Sequence, residues 1–143
     1  MGDLTLPAPD APAEEWGRLA VSLPGFAWAP GMRQSQPGGP GFAIYVGTVG
    51  GGTAGWHGFH GWGGYYDAGI DPDDPATAGC LLALLGEWNG YAREKYVYSN
   101  GRVTPYRAVV RSCVDGITHE STSIGRACIA AAAALGRWPG GTP

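Results

Sequence analysis

REKYVYSNGRVTPYRAVVRSCV, residues 93–114, is the stretch on which the fold turns. β-Branched and aromatic residues crowd both sides of Asn100-Gly101, a dipeptide whose backbone suits the type I′ turn of a two-residue hairpin. Such a turn pairs Ser99 with Arg102, Tyr98 with Val103 and Tyr96 with Pro105. Pro105 has no N–H to give to a ladder, which marks an edge position or a bulge. A hairpin alone is marginal in water and needs a cover. The flanking sequence supplies one.

Upstream, DPDDPATAGCLLALLGEWNG (residues 71–90) reads as a helix. Asp74 is its N-cap, Pro75 its first residue, and Asn89-Gly90 its stop. Leu81, Leu84, Leu85 and Trp88 form the apolar stripe, with Cys80 beside it. Downstream, Asp115-Gly116 turns the chain into a short β segment, Ile117 to His119. A final helix follows from about Thr122 to Arg137, with Ile124, Ala127, Cys128, Ala131, Leu135 and Trp138 on one face. Near the N-terminus, Asp10 caps a short helix with Glu14 and Glu15 in its first turn. Trp16, Leu19, Ala20 and Leu23 face inward, and Pro24-Gly25 ends it. Phe26, Trp28 and Met32 anchor the loop beyond, and GFAIYVGTV (residues 41–49) is a strand. The sum is an α+β fold over residues 1–143, a single domain: a small antiparallel sheet packed against about three helices, with a long irregular segment rich in glycine and aromatics.

The length of 143 residues is enough for one core, and 44% hydrophobic residues with 15% charged argues against disorder. With 26 Gly and 12 Pro, concentrated between Pro24 and Gly64, much of that region is expected to be extended or irregular. The net charge of −3 disfavours general nucleic-acid binding, which draws on a basic surplus. Charge is nonetheless uneven. Asp67, Asp71, Asp73 and Asp74 form an acidic run, while Arg93, Lys95, Arg102, Arg107 and Arg111 are opposed nearby only by Glu94. Three scattered cysteines, no signal-peptide pattern and no apolar run of spanning length lead to the expectation of a reduced, soluble, cytoplasmic protein without membrane contact.

Three pieces together resemble a family of small, mostly uncharacterised proteins of phages and prophages: LPGFAWAPGM (residues 23–32), DDPATAGCLLALL (residues 73–85) and the alanine-rich SIGRACIAAAAALGRW (residues 123–138). The match covers under half of the chain, and the glycine-aromatic segment between Gly38 and Gly69 stands where a compact strand pair would be expected. The resemblance implies a phage accessory protein and carries no catalytic residues with it.

The candidate sites lie in two places. In GWHGFHGWGGYY (residues 55–66), Trp56, Phe59, Trp62, Tyr65 and Tyr66 offer flat faces, and the glycines let backbone amides approach a ligand. These rings suit stacking, core packing or subunit contact. His57 and His60, spaced i, i+3, are candidate metal ligands with Asp67 or His119, though the glycines make a helix there improbable. In the hairpin, the expected register puts Tyr96 and Tyr98 on one face with Val103, Arg107, Val109 and Arg111, a platform for a phosphate and a base. Cys80 and Cys128 read as core thiols, and no nucleophile elbow, zinc-protease motif or P-loop occurs. No catalytic residue and no cofactor is assigned. The expected function is therefore a non-catalytic counter-defence protein that sequesters a small anionic ligand, a nucleotide signal of host immunity, as a homo-oligomer. Alternatives are an inhibitor or adaptor acting on another protein, a virion component, and a metal enzyme.

Overall fold

The computed structural model describes residues 5–33, 44–49, 53–58, 61–62 and 70–141, the strand residues between 44 and 62 as backbone alone. It is an α+β fold with helices α1 (Ala13–Ser22), α2 (Pro75–Leu85) and α3 (Ile124–Leu135). Strands β4 (Trp88–Arg93), β7 (Arg107–Ser112) and β8 (Thr118–Ser121) form one antiparallel sheet, ordered β4-β7-β8. Strands β5 (Tyr96–Val97) and β6 (Val103–Thr104) form a two-stranded extension. A separate sheet joins β1 (Ile44–Val49), β2 (Thr53–Gly58) and β3 (Gly61–Trp62). Part of the segment expected to be irregular is thus strand. Tyr45 pairs with Trp56, and His57 with both Ile44 and Trp62.

Helices α2 and α3 begin at side-chain caps. Asp74 caps α2 by accepting from Thr77 N (3.0 Å), a bond that contributes about 1 kcal/mol. Ser123 caps α3 through Arg126 N (3.2 Å). Helix α1 has no side-chain cap: Pro12, not Asp10, occupies the N-cap position. Helix α2 stops at Gly86, whose φ of 89° suits a residue without Cβ, and not at Asn89-Gly90. The chain then re-enters as β4, so Trp88 begins a strand and does not extend the helical stripe. Gly90 fits there because any Cβ would press on Leu82 and Ile124, 3.2 Å away.

The core lies between the helices and one face of the β4-β7-β8 sheet. Trp16, Ala20, Met32, Ile70, Leu81, Leu85, Val110, Ala131 and Trp138 are all buried in it. Trp138 follows α3 and donates its indole N–H to Ala20 O (2.9 Å), tying α1 to the C-terminal end. Leu135, expected on the buried face, is 49% exposed. Residues 70–72 are threaded between α1 and α3 at two glycines. A Cβ on Gly17 would lie 1.9 Å from Ile70 O, and one on Gly125 1.9 Å from Pro72 O. Arg33 O accepts from Asp71 N (2.8 Å), so the chain on either side of residues 34–69 meets at one point.

Candidate functional site

The turn at Asn100-Gly101 is longer than the two residues expected. Tyr98 N donates to Arg102 O (2.8 Å) and Gly101 N to Tyr98 O (2.9 Å), which leaves Ser99, Asn100 and Gly101 in the loop. Gly101 has φ of 86°, and Asn100 Oδ1 accepts from Arg102 N (3.0 Å). This is a type I turn closed by a glycine bulge, and it slips the pairing by one residue. Val97 now faces Val103, and Tyr96 faces Thr104. The same register continues into the main sheet, where Arg93 faces Arg107 and Trp88 faces Ser112. The strands are therefore one long hairpin, interrupted at Glu94-Lys95 and Pro105-Tyr106, where proline has no N–H to contribute.

Across that interruption the ladder changes phase while the register is kept. Cys113 N donates to Glu87 O (2.9 Å), so near the sheet Glu87, Asn89, Tyr91 and Arg93 turn their peptide groups toward β7. Beyond the interruption the bonded positions are Tyr98 and, two residues back, Tyr96. In a strand of L-residues the direction of the peptide groups fixes the direction of the side chain. A change of phase therefore moves Tyr96 and Tyr98 to the face that carries Arg93 and Arg107. Val103, expected with them, is on the opposite side with Val97.

The result is an open concavity of about 450 Å³ lined by Arg93, Glu94, Tyr96, Tyr98, Thr104, Pro105, Arg107 and Glu120. Tyr96 is 60% exposed and packs edge-to-face on Tyr98, centroids 4.9 Å apart. Arg102 lies over the other ring, 5.9 Å from its centroid. Arg93 Nη2 pairs with Glu120 Oε1 at 3.1 Å. Arg107 has no ion pair among the described residues. Of the hairpin residues singled out in the sequence, Tyr96, Tyr98 and Arg107 come together. Arg111 does not, because its guanidinium lies over the turn at Gly116, Nη2 being 3.4 Å from where a Cβ there would stand. Val109 is buried at the middle of that face, between Tyr91 and Glu120.

The other candidates divide. His57 is a strand residue of β2, which removes the helical i, i+3 geometry behind the metal reading. His60, Phe59, Tyr65, Tyr66 and Asp67, and the side chains of Trp56, His57 and Trp62, lie outside the described residues. His119 is half-buried against the Trp88 ring, and burial lowers its pKa from the usual 6.5. Among the described residues no group of three metal-binding side chains occurs.

The described members of the acidic run, Asp71, Asp73 and Asp74, are engaged in structure. Asp74 caps α2 and also accepts from Thr77 Oγ1 (3.0 Å). Asp71 accepts from Asp73 N (3.1 Å), and burial, with the neighbouring carboxylates, raises its pKa. Asp73 accepts from Arg126 Nε (3.0 Å), Arg126 Nη2 (2.9 Å) and Ser123 Oγ (2.8 Å). Burial works to raise the Asp73 pKa, but these bonds and the guanidinium charge outweigh it and hold the carboxyl below its ordinary value. Arg126 Nη1 also donates to Pro9 O and Ala11 O. This arginine was not singled out from the sequence, although it is the one charge inside IGRACIAAAAAL.

Two of the three thiols are poorly placed for chemistry. Burial pushes Cys128 up to about 12, and burial together with the Asp74 charge raises Cys80. Cys113 is exposed and accepts a bond from Asn89 Nδ2 (3.3 Å).

Fold and site together define a small α+β protein with a projecting, cleft-bearing hairpin. No family model, curated protein or solved structure matches the chain. Among the described residues no helix is long and apolar enough to cross a membrane.

Proposed function

We propose that this chain is a non-catalytic binding protein that sequesters a small anionic ligand bearing a flat ring, of nucleotide type, in the hairpin cleft. In the phage setting that its motifs resemble, the ligand is a nucleotide signal of host immunity. One observation carries the reading. The change of ladder phase gathers exposed Tyr96 and Tyr98 with Arg107, a guanidinium with no ion pair among the described residues, around one concavity. Arg107 suits a bidentate phosphate contact, and a base stacked on tyrosine gains about 1–3 kcal/mol. Arg93 is already paired with Glu120, so Arg107 is the lining guanidinium left to meet a phosphate. Sequestration requires affinity and no turnover.

Calorimetry against cyclic di- and trinucleotides and ADP-ribose derivatives tests this. Binding by the native protein, weakened at least about tenfold by either Arg107→Ala or Tyr96→Ala, is the expected result. Silence across the panel, or binding indifferent to both substitutions, refutes it.

A second reading, an inhibitor or adaptor of another protein, draws on the opposite side of the same arm. There Val97 and Val103 face each other while 57% and 47% exposed. Recovery of a stoichiometric partner from host lysate, lost on Val97→Asp, separates the two.

A further inference from the structure

Strand β4 is the edge of its sheet, and residues 89–93 along it are exposed. The peptide groups of Asn89, Tyr91 and Arg93 are directed at β7. Those of Gly90 and Ala92 are therefore directed outward, where the described residues provide no strand to meet them. An edge of this kind is a template for another strand unless proline, charge or a bulge blunts it. Here the two outward positions carry glycine and alanine. Trp88 N is already bonded to Gly86 O (2.9 Å), which confines free pairing to the two residues after it.

We infer that β4 is the interface between two copies of this chain, paired antiparallel about a two-fold axis at Tyr91. This inference is independent of the ligand reading. In that register Gly90 of each copy faces Ala92 of the other, and all four outward N–H groups find carbonyls. Tyr91, 40% exposed in the single chain, meets its twin on the axis. Asn89 falls opposite Arg93. Two residues beyond each end, Glu87 comes within reach of Lys95 of the other copy. Both side chains are exposed, and neither has an ion pair among the described residues. Opposite charges thus meet twice, once on each side of the axis, and like charges do not. A register centred one residue earlier, on Gly90, needs Trp88 N as a donor and finds it occupied. The two three-stranded sheets join into one, running β8-β7-β4-β4-β7-β8, and the closed symmetry leaves no further β4 edge to propagate.

Sedimentation velocity across a concentration range tests this on the full chain. The native protein is expected to approach the mass of two chains. Ala92→Pro removes an outward N–H that β7 does not use, at a position where an edge strand tolerates proline, and is expected to give a monomer with an unchanged circular dichroism spectrum. Glu87→Lys and Lys95→Glu are each expected to raise the dimer Kd at least about tenfold, and the double swap to restore it. The swaps lie on exposed positions, so they decide the matter even where the proline variant fails to fold. A native protein that stays monomeric at its highest soluble concentration overturns the inference. So does a dimer whose Kd ignores the charge swaps.

Discussion

Asp73→Asn isolates the contact that ties three parts of the chain together. The side chain of Arg126 is 9% exposed and that of Asp73 43% exposed, 2.9 Å apart. Asparagine keeps the shape and one acceptor oxygen, but it leaves the guanidinium without its counter-charge and turns an amide donor toward it. Breaking a fully buried pair costs about 3–5 kcal/mol, and an exposed pair contributes about 0.2–1 kcal/mol. Water reaches the aspartate side here and screens the pair, so the expected loss at neutral pH is about 2 kcal/mol, or about 6 °C in Tm for a domain of this size. The sign with pH follows from the depressed carboxyl. Asp73 titrates lower in the folded chain than its ordinary 3.8, so its stabilisation is present above that value and is lost as pH falls through the folded pKa. Urea unfolding followed by tryptophan fluorescence, with Trp16 and Trp138 buried as reporters, measures both. The gap between native and variant should be full at pH 7 and should close in acid. A gap below about 0.5 kcal/mol, or one that persists unchanged at pH 2.5, refutes the assignment.

Two further outcomes follow from the threaded segment. Gly125→Ala places a Cβ 1.9 Å from Pro72 O and should cost at least about 1–3 kcal/mol in denaturant unfolding, whereas Gly79→Ala, with open space around its Cβ on α2, should be neutral or stabilising by about 0.4–1 kcal/mol. Since Arg33 and Asp71 are bonded, replacing residues 34–69 by a short glycine-serine linker should leave a cooperative thermal transition within a few degrees of the native one. Loss of that transition shows that the core depends on the removed residues.

What the sequence made legible was periodic. The leucine stripe, the Asp74-Pro75 start and the alanine-rich helix each follow from local spacing, and so do the two β arms around Asn100-Gly101. Three of the errors share one cause, which is that a glycine can end a helix, open a turn or sit in a strand. At Gly86 it ended α2; at Gly90 it lies in β4, where the packing of Leu82 and Ile124 and not local preference decides its place. At Gly101 it makes a bulge and lengthens the loop by one residue. That slip alone should have separated Tyr96 from Arg107, yet the phase change beside Pro105 reunited them; the proline marks a break in the ladder, but residue order does not give its effect on the phase. Arg126 was hidden for the opposite reason: its partners Pro9, Ala11 and Asp73 are remote in the chain, and only tertiary structure assembles them.

The passage of residues 70–72 between Gly17 and Gly125 also constrains the order of assembly. Helices α1 and α3, from opposite ends of the chain, cannot close on each other until that short stretch is seated between their backbones. Hairpin and α2 make local contacts and are free to form early, while the closing step waits on the longest loops in the molecule. Folding should therefore be slow for a chain of this length. Mutations at the two glycines should retard the forward rate if the clasp forms in the transition state, and otherwise quicken its release.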